Sequence, residues 1–137
     1  MKRLVLDSRP LIGLLSKKDQ YHEEAKRGFK QIPVTFGEVL TPLPILFEVY
    51  KFVSRHQSVN AASTLLSIIQ TETVIIPLSN SDFLTISDLV LTTPNWQGSL
   101  EDASVIYTAQ QYQAQIWTID YQDFSFFNNL EFWNPSD

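Results

Sequence analysis

Apolar and polar positions along this chain form blocks that predict short strands separated by helices. Brief apolar runs typical of buried strands occupy residues 2–7, 38–42, 72–78, 114–120 and 130–133. Helical spacing of apolar residues or helix-start signals mark residues 8–17, 19–30, 43–56, 58–70, 81–91 and 99–112. Strands that alternate with helices favour an α/β fold, with a mostly parallel sheet covered by helices on both faces.

Local signals predict where several helices begin and end. Ser8 is expected to cap the first helix and Asp19 the second, whose end Gly28 is expected to weaken. Ser58 or Asn60, and then Ser81 or Asp82, are expected to open the two helices before and after the strand at 72–78.

The helix at 43–56 combines an apolar face with one acid. Its predicted core-facing residues at helical spacing are Leu43, Leu46, Phe47, Tyr50 and Val53. Glu48 interrupts this apolar helix. A lone Glu in such a helix more often reaches the rim and stays hydrated than serves a function.

Four acids stand at positions where a parallel sheet places ligands. Asp7 and Asp120 each end a predicted strand, and ligands bind beyond the carboxyl ends of parallel strands. Each acid also has a purely structural interpretation: Asp7 as a helix cap, Glu48 as a rim residue and Asp120 as a turn residue. Asp102 follows Ser99 by three residues, the spacing of a capping box.

Taken together, the four acids predict a metal site. Carboxylates gathered at one edge repel each other, and a divalent cation relieves the cost of burying them. Oxygen ligands without cysteine suit Mg²⁺ or Mn²⁺ rather than zinc. Such ions can polarise a phosphodiester and lower the pKa of a bound water.

Composition narrows the class of protein without deciding its function. The 137 residues are enough for one domain, predicted over 1–137, and 44% of them are apolar, as in a soluble globular chain. The absence of cysteine fits a reducing cytoplasm, and no apolar window approaches a membrane span. A net charge of −5 argues against a broad basic nucleic-acid face.

Three stretches carry a resemblance to a known family. "LVLDSRPLIGLL", "TPLPILFEVYKFVSR" and "SLEDASVIYTAQQYQAQIWTIDYQDF" resemble, in order, the signatures of PIN-domain proteins, in particular the small VapC-like toxin ribonucleases. The resemblance covers nearly the whole chain. It implies a three-layer α/β/α sandwich around a five-stranded, mostly parallel sheet, and a Mg²⁺- or Mn²⁺-dependent endoribonuclease of a type II toxin–antitoxin pair.

The resemblance also assigns roles to individual residues. The family's catalytic, metal-binding acids fall on Asp7, Glu48, Asp102 and Asp120, and Asp123 is a further candidate ligand. Ser8 would orient the first carboxylate, and Thr118 would be the hydroxyl partner of Asp120. The sequence departs from the family at "DSRP", where Arg9 follows the first acid closely, whereas His22 is interpreted as structural.

The implied partners are an RNA substrate, a small antitoxin and a second copy of the chain. Phe29, Tyr50, Phe52 and Trp96 are candidate anchors for the antitoxin, although each is more typical of a core residue. Cations available for RNA are Lys17, Lys18, Lys26, Arg27, Lys30, Lys51 and Arg55. The main alternative is a PIN-like binding module that acts through protein partners with little or no cleavage.

Overall fold

A computed structural model of the protein contains a parallel sheet of four short strands in a three-layer α/β/α arrangement. The structure describes residues 1–119, 124, 127 and 129–135. The strands are β1 (Arg3–Leu6), β2 (Glu38–Pro42), β3 (Val74–Ile76) and β4 (Gln115–Trp117). Their order is β3-β2-β1-β4, and every neighbouring pair is parallel. The carboxyl ends of β1 and β4 therefore lie side by side.

The predicted fifth strand is reduced, within the described residues, to one bridge at the sheet edge. Phe132 forms a parallel bridge with Ile116. Two backbone hydrogen bonds hold it, from Ile116 N to Glu131 O at 2.8 Å and from Trp133 N to Ile116 O at 2.9 Å. The fold class is as predicted, with four strands and a bridge in place of five strands.

Six helices connect the described strands, at positions close to those predicted. They are α1 (Ser8–Leu15), α2 (His22–Thr35), α3 (Leu43–His56), α4 (Val59–Glu72), α5 (Asn80–Thr92) and α6 (Leu100–Tyr112). Helix α1 begins two residues after the end of β1, and α3 begins directly after β2. The first residues of both helices therefore lie near the carboxyl edge of the sheet.

Several predicted caps shift by one or more residues. Ser8 is the first residue of α1, and Asp7 occupies the N-cap position without making a side-chain cap bond. Asp19 lies outside α2 and accepts a hydrogen bond from Tyr21 N at 2.9 Å, which shapes the turn before the helix. Ser58 caps α4 as predicted. Ser79, rather than Ser81 or Asp82, caps α5, and Asp82 completes its capping box.

Gly28 does not end α2 as predicted, because it serves packing rather than chain termination. The helix continues from His22 to Thr35. A β-carbon at Gly28 would overlap the Trp117 indole. That indole, which is 1% exposed, also contacts Phe29 with ring centroids 4.8 Å apart. Glycine therefore lets α2 lie directly against the aromatic side chain at the end of β4.

The core surrounds the sheet, with β1 at its centre. Leu4, Val5 and Leu6 are 0–1% exposed. The tail after α6 adds to this core, since Phe124 is 1% exposed and Trp133 packs edge-on against Trp117. In the part of the chain that the structure describes, no helix is both long and apolar enough to span a membrane.

One predicted apolar face is wrong at a single position. In α3 the fully buried residues are Ile45, Leu46, Val49 and Val53. Phe47, which helical spacing places on the predicted core face, is 67% exposed. The buried stripe is rotated toward Val49 because α4 and α1 pack on that side of α3.

Candidate active site

Asp7 lies at the junction of β1 and α1, where its carboxylate is buried. Its backbone N–H extends the β1–β4 pairing by donating to Trp117 O at 3.1 Å. The side chain is 3% exposed, and its Oδ2 accepts a hydrogen bond from Thr118 Oγ1 at 2.7 Å. Thr118 is itself 1% exposed. The parallel neighbours β1 and β4 thus bring together two residues that are 111 positions apart in sequence.

Thr118 was predicted to support Asp120, and the structure places it on Asp7. Its hydroxyl fixes the orientation of the Asp7 carboxylate, because a buried hydrogen bond to a charged acceptor is strong and directional. Asp120 and Asp123 both lie outside the described residues. Their roles as ligands therefore stay predictions.

Glu48 projects from the second turn of α3 toward the same edge. Four groups act on its carboxyl: the Ser8 hydroxyl, as a hydrogen-bond partner, and the charges of Asp7, Glu101 and Asp102. The hydroxyl predicted to orient Asp7 therefore acts on Glu48. Glu48 is half-buried, so its charge is only partly hydrated.

The environment raises the pKa of Glu48 from 4.5 to about 7. Loss of hydration on burial is the largest cause, followed by repulsion from Asp7. Glu101 and Asp102 add smaller repulsions, and the Ser8 hydroxyl opposes the rise. Carboxyls whose pKa is raised toward neutral pH by burial and by neighbouring acids are common at functional sites.

Asp102 forms the capping box of α6 and lies close enough to influence Glu48. Its backbone N–H donates to Ser99 Oγ at 3.0 Å, and its Oδ2 accepts from Ser99 N at 3.0 Å. The structural and functional interpretations of Asp102 are therefore compatible, since the box holds the carboxylate at the helix start. The sequence reasoning missed Glu101. Its position directly before Asp102, in the first turn of α6, was the available signal.

These acids come from three separate elements, yet they do not form a closed ligand cage by themselves. Among the residues that the structure describes, no three carboxylates or imidazoles converge as ligands for one ion. The donor set nonetheless suits a hard divalent cation, because it is all oxygen and its members raise the pKa of Glu48. An ion held between Asp7, Glu48 and Asp102 would offset that repulsion.

Arg9 and His22 are directed elsewhere. The Arg9 guanidinium pairs with Asp19 at 3.3 Å and lies over the Tyr21 ring, so it braces the turn between α1 and α2. His22 Nδ1 hydrogen-bonds Gly13 O at 2.8 Å. His22 is therefore structural, as predicted, and Arg9, although close to Asp7 in sequence, contacts Asp19 and Tyr21.

The predicted antitoxin anchors are mostly occupied by intramolecular packing. Phe29, Tyr50, Phe52 and Trp96 are all half-buried against the core. Phe52 stacks on His56 with centroids 4.1 Å apart, and Trp96 packs edge-on against Phe127. Phe29 alone of the four lines an open apolar groove of about 380 Å³ between α1, α2 and α4.

Comparison with protein families finds a match that covers most of the chain. The model of the PIN domain matches residues 4–127. A search of proteins with curated functions finds no significant match to this sequence.

Solved structures share this fold at low sequence identity. The VapC20 toxin of Mycobacterium tuberculosis, described as cleaving the sarcin-ricin loop, has a TM-score of 0.85 at 17% identity, with 96% of this chain and 99% of that chain covered. VapBC2 of Rickettsia felis, bound to a promoter DNA fragment, scores 0.72 at 15% identity, with 96% and 98% covered. A toxin–antitoxin complex from Klebsiella pneumoniae scores 0.69 at 22% identity, with 98% of each chain covered.

Proposed function

This chain belongs to the PIN domain family, and we propose that it is a metal-dependent endoribonuclease, the toxin of a type II toxin–antitoxin pair. The observation that carries the proposal is the placement of Asp7, Glu101 and Asp102 around the half-buried Glu48 at one sheet edge, where loss of hydration and then repulsion from these acids raise the pKa of Glu48. The similarity in fold to VapC20, named as a toxin that cleaves the sarcin-ricin loop, supports RNA as the substrate.

In this proposal the chain's own residues bind and orient the reacting groups. Asp7, Glu48, Asp102 and Asp120 hold Mg²⁺ or Mn²⁺, with Asp123 as a further candidate. When bound, the ion supplies Lewis-acid polarisation of the phosphodiester and a water of lowered pKa. Thr118 keeps Asp7 in one orientation, and the Ser99 capping box does the same for Asp102. Such preorientation lowers the entropic cost of assembling the reacting groups.

The test is cleavage of a labelled structured RNA by purified protein, with Mg²⁺ or Mn²⁺ and with EDTA. We expect cleavage only with the metal, and a loss of at least about a hundredfold in Asp102→Asn, because a metal ligand becomes a neutral amide. Cleavage that persists at full rate in EDTA, or in Asp102→Asn, would contradict the proposed site.

The chain contains a closely matched control for that substitution. Asp82 holds the same third position of a capping box, with Ser79, in α5. Asp82→Asn therefore alters a helix start of the same design but leaves the acidic edge intact. We expect it to cleave RNA like the parent protein. Equal losses in both variants would mean that helix capping, and not the site, accounts for the effect.

The proposed protein partner is a small antitoxin that covers the site. Structures of similar fold include toxin–antitoxin complexes from R. felis and K. pneumoniae. An acidic edge favours an arginine of the partner, because guanidinium groups form bidentate bonds with carboxylates. The open groove beside Leu11, Ile32 and Ile69 suits an apolar segment of the same partner.

Co-expression tests this partnership. We expect the protein encoded by a short adjacent reading frame to co-purify with this chain and to suppress its RNA cleavage. Undiminished cleavage in the presence of that protein would contradict it as the antitoxin. The predicted homodimer is tested separately, by sedimentation of the purified chain.

A further inference from the structure

The charges of this chain are strongly separated along the sequence. All ten Lys and Arg residues lie between positions 2 and 55, together with six acids, whereas positions 56–137 hold nine acids and no Lys or Arg. A polyanion that approaches the acidic edge can therefore find cations only on elements from the first part of the chain.

Several of those cations are already neutralised by nearby acids. Arg3 pairs with Glu38, Arg9 with Asp19 and Lys26 with Glu23. Lys51 and Arg55 on α3 are exposed, and neither forms an ion pair with any residue the structure describes. They follow Glu48 by three and seven residues, which places them near it along one side of the helix.

Phe47 lies on the same side of α3 as Lys51 and Arg55, one turn closer to the start of the helix. Phe47, Lys51 and Arg55 are spaced by four residues, so they form a strip on the exposed side of the helix, opposite Val49. Phe47 is 67% exposed and adjacent to Glu48 in sequence. Its ring has no aromatic contact with the described residues, in contrast to Phe52, which stacks on His56.

We propose that this α3 strip (Phe47, Lys51 and Arg55) binds a single-stranded segment of the RNA next to the scissile phosphate. Phe47 stacks on a base, and Lys51 and Arg55 contact successive phosphates. The occupant follows from the chemistry: an exposed aromatic ring beside two unpaired cations is the combination that binds single-stranded nucleic acid. A purely apolar partner would leave both cations unmatched. The inference rests on the proposed ribonuclease function and deepens it.

Binding is measured by fluorescence anisotropy with a short fluorescein-labelled single-stranded oligoribonucleotide, in an Asp7→Asn background that prevents cleavage. We expect Phe47→Leu to weaken binding about tenfold, because leucine keeps the apolar surface but cannot stack on a base. Phe47→Trp should restore it. The matched control is Phe83→Leu on α5, where the side chain is 48% exposed, and it should bind like the parent.

The salt dependence of binding separates the cations from the aromatic ring. Lys51→Gln and Arg55→Gln should each reduce the slope of log affinity against log salt by about 0.7, as expected for one phosphate contact to a single strand. Phe47→Leu should leave that slope unchanged. In cleavage assays with the native acids, Phe47→Leu should raise KM more than it lowers kcat.

The outcomes distinguish this inference from the proposed function. If the parent protein cleaves RNA while Phe47→Leu binds it equally well, the strip is overturned and the ribonuclease stands. If Phe47→Leu changes only the sedimentation of the protein, the strip is a contact between copies, which also overturns it. If the parent neither binds nor cleaves RNA, the proposed function itself fails.

Discussion

Glu48 is the residue whose chemistry depends most on its neighbours. In isolation, a Glu on an apolar helix is most simply explained as a hydrated rim residue. In the fold it is half-buried, and Asp7 raises its pKa together with the loss of hydration. The charge of Glu48 therefore opposes folding in the absence of metal, which makes a stability measurement informative.

Glu48→Gln should stabilise the metal-free protein above neutral pH. The folded pKa is about 7 and the unfolded value 4.5, so both states are protonated below 4.5 and the charge costs nothing there. The cost grows as the pH rises from 4.5 to 7 and is complete above 7. Allowing for the half-exposed side chain, we expect a gain of about 1–2 kcal/mol at pH 8.

Urea unfolding in EDTA at several pH values between 5 and 8 measures this difference. The control is Glu72→Gln, at the exposed end of α4. A Glu48→Gln effect that is the same at pH 5 and pH 8 would show that the ionised carboxylate of Glu48 is not its cause.

At the scale of elements, the ends of short helices and strands determine the site. Asp7 follows β1, Thr118 follows β4 and Asp102 opens α6. Pairing of β1 with β4 brings the first two together, and the Ser99 capping box orients the third. Packing of α2 against Trp117 supports the end of β4, and this contact depends on Gly28.

Two helical glycines should respond to alanine with opposite signs. Gly28→Ala should destabilise the protein by about 1–3 kcal/mol, because the new methyl group overlaps the Trp117 ring. Gly13→Ala in α1 should stabilise it by about 0.5–1 kcal/mol, since alanine is the better helix former. At Gly13 the nearest atoms to a new β-carbon, on Ala25 and Tyr21, lie at an ordinary 3.5 Å.

Urea unfolding at pH 7 compares both variants with the parent. A stabilising Gly28→Ala would mean that α2 shifts away from Trp117 at little cost. That result would contradict the inference that packing of α2 against Trp117 requires glycine at position 28.

At the scale of the whole molecule, an acidic protein is proposed to act on a polyanion. The net charge of −5 argues against a broad basic face but is compatible with a local cationic strip and a bound cation. A cation that binds the folded state but not the unfolded state stabilises the whole domain by mass action. Measuring the stability of the protein with and without the metal therefore separates a nuclease from a binding module, which need not bind metal.

Mn²⁺ should raise the Tm of the parent protein in a concentration-dependent manner. At a concentration a hundredfold above Kd, the expected stabilisation is about 2.7 kcal/mol. Asp7→Asn should abolish this response, because it removes a buried carboxylate from the proposed site. Asp82→Asn, in the capping box of α5, leaves the proposed ligands unchanged and should respond like the parent. A parent protein that Mn²⁺ does not stabilise would favour the binding module.

The sequence by itself determined the fold class and named Asp7, Glu48 and Asp102 as candidate site acids, whereas Asp120 and Asp123 lie outside the described residues and stay predictions. Alternating strand and helix patterns, Asp7 at a strand end and the Ser99–Asp102 spacing are local signals, and local signals are readable without tertiary contacts. Asp7 and Asp102 accordingly lie close enough to Glu48 to raise its pKa, in addition to the larger effect of burial. The α3 bounds, residues 43–56, follow from the same periodicity.

Only the tertiary structure decided which groups face each other. It paired Thr118 with Asp7 and Ser8 with Glu48, placed Glu101 among the acids, and directed Arg9 to Asp19. It also exposed Phe47 and buried Gly28 under Trp117. Each of these outcomes depends on how separate elements rotate and pack against one another. That geometry arises from contacts between residues far apart in sequence, which no local pattern contains.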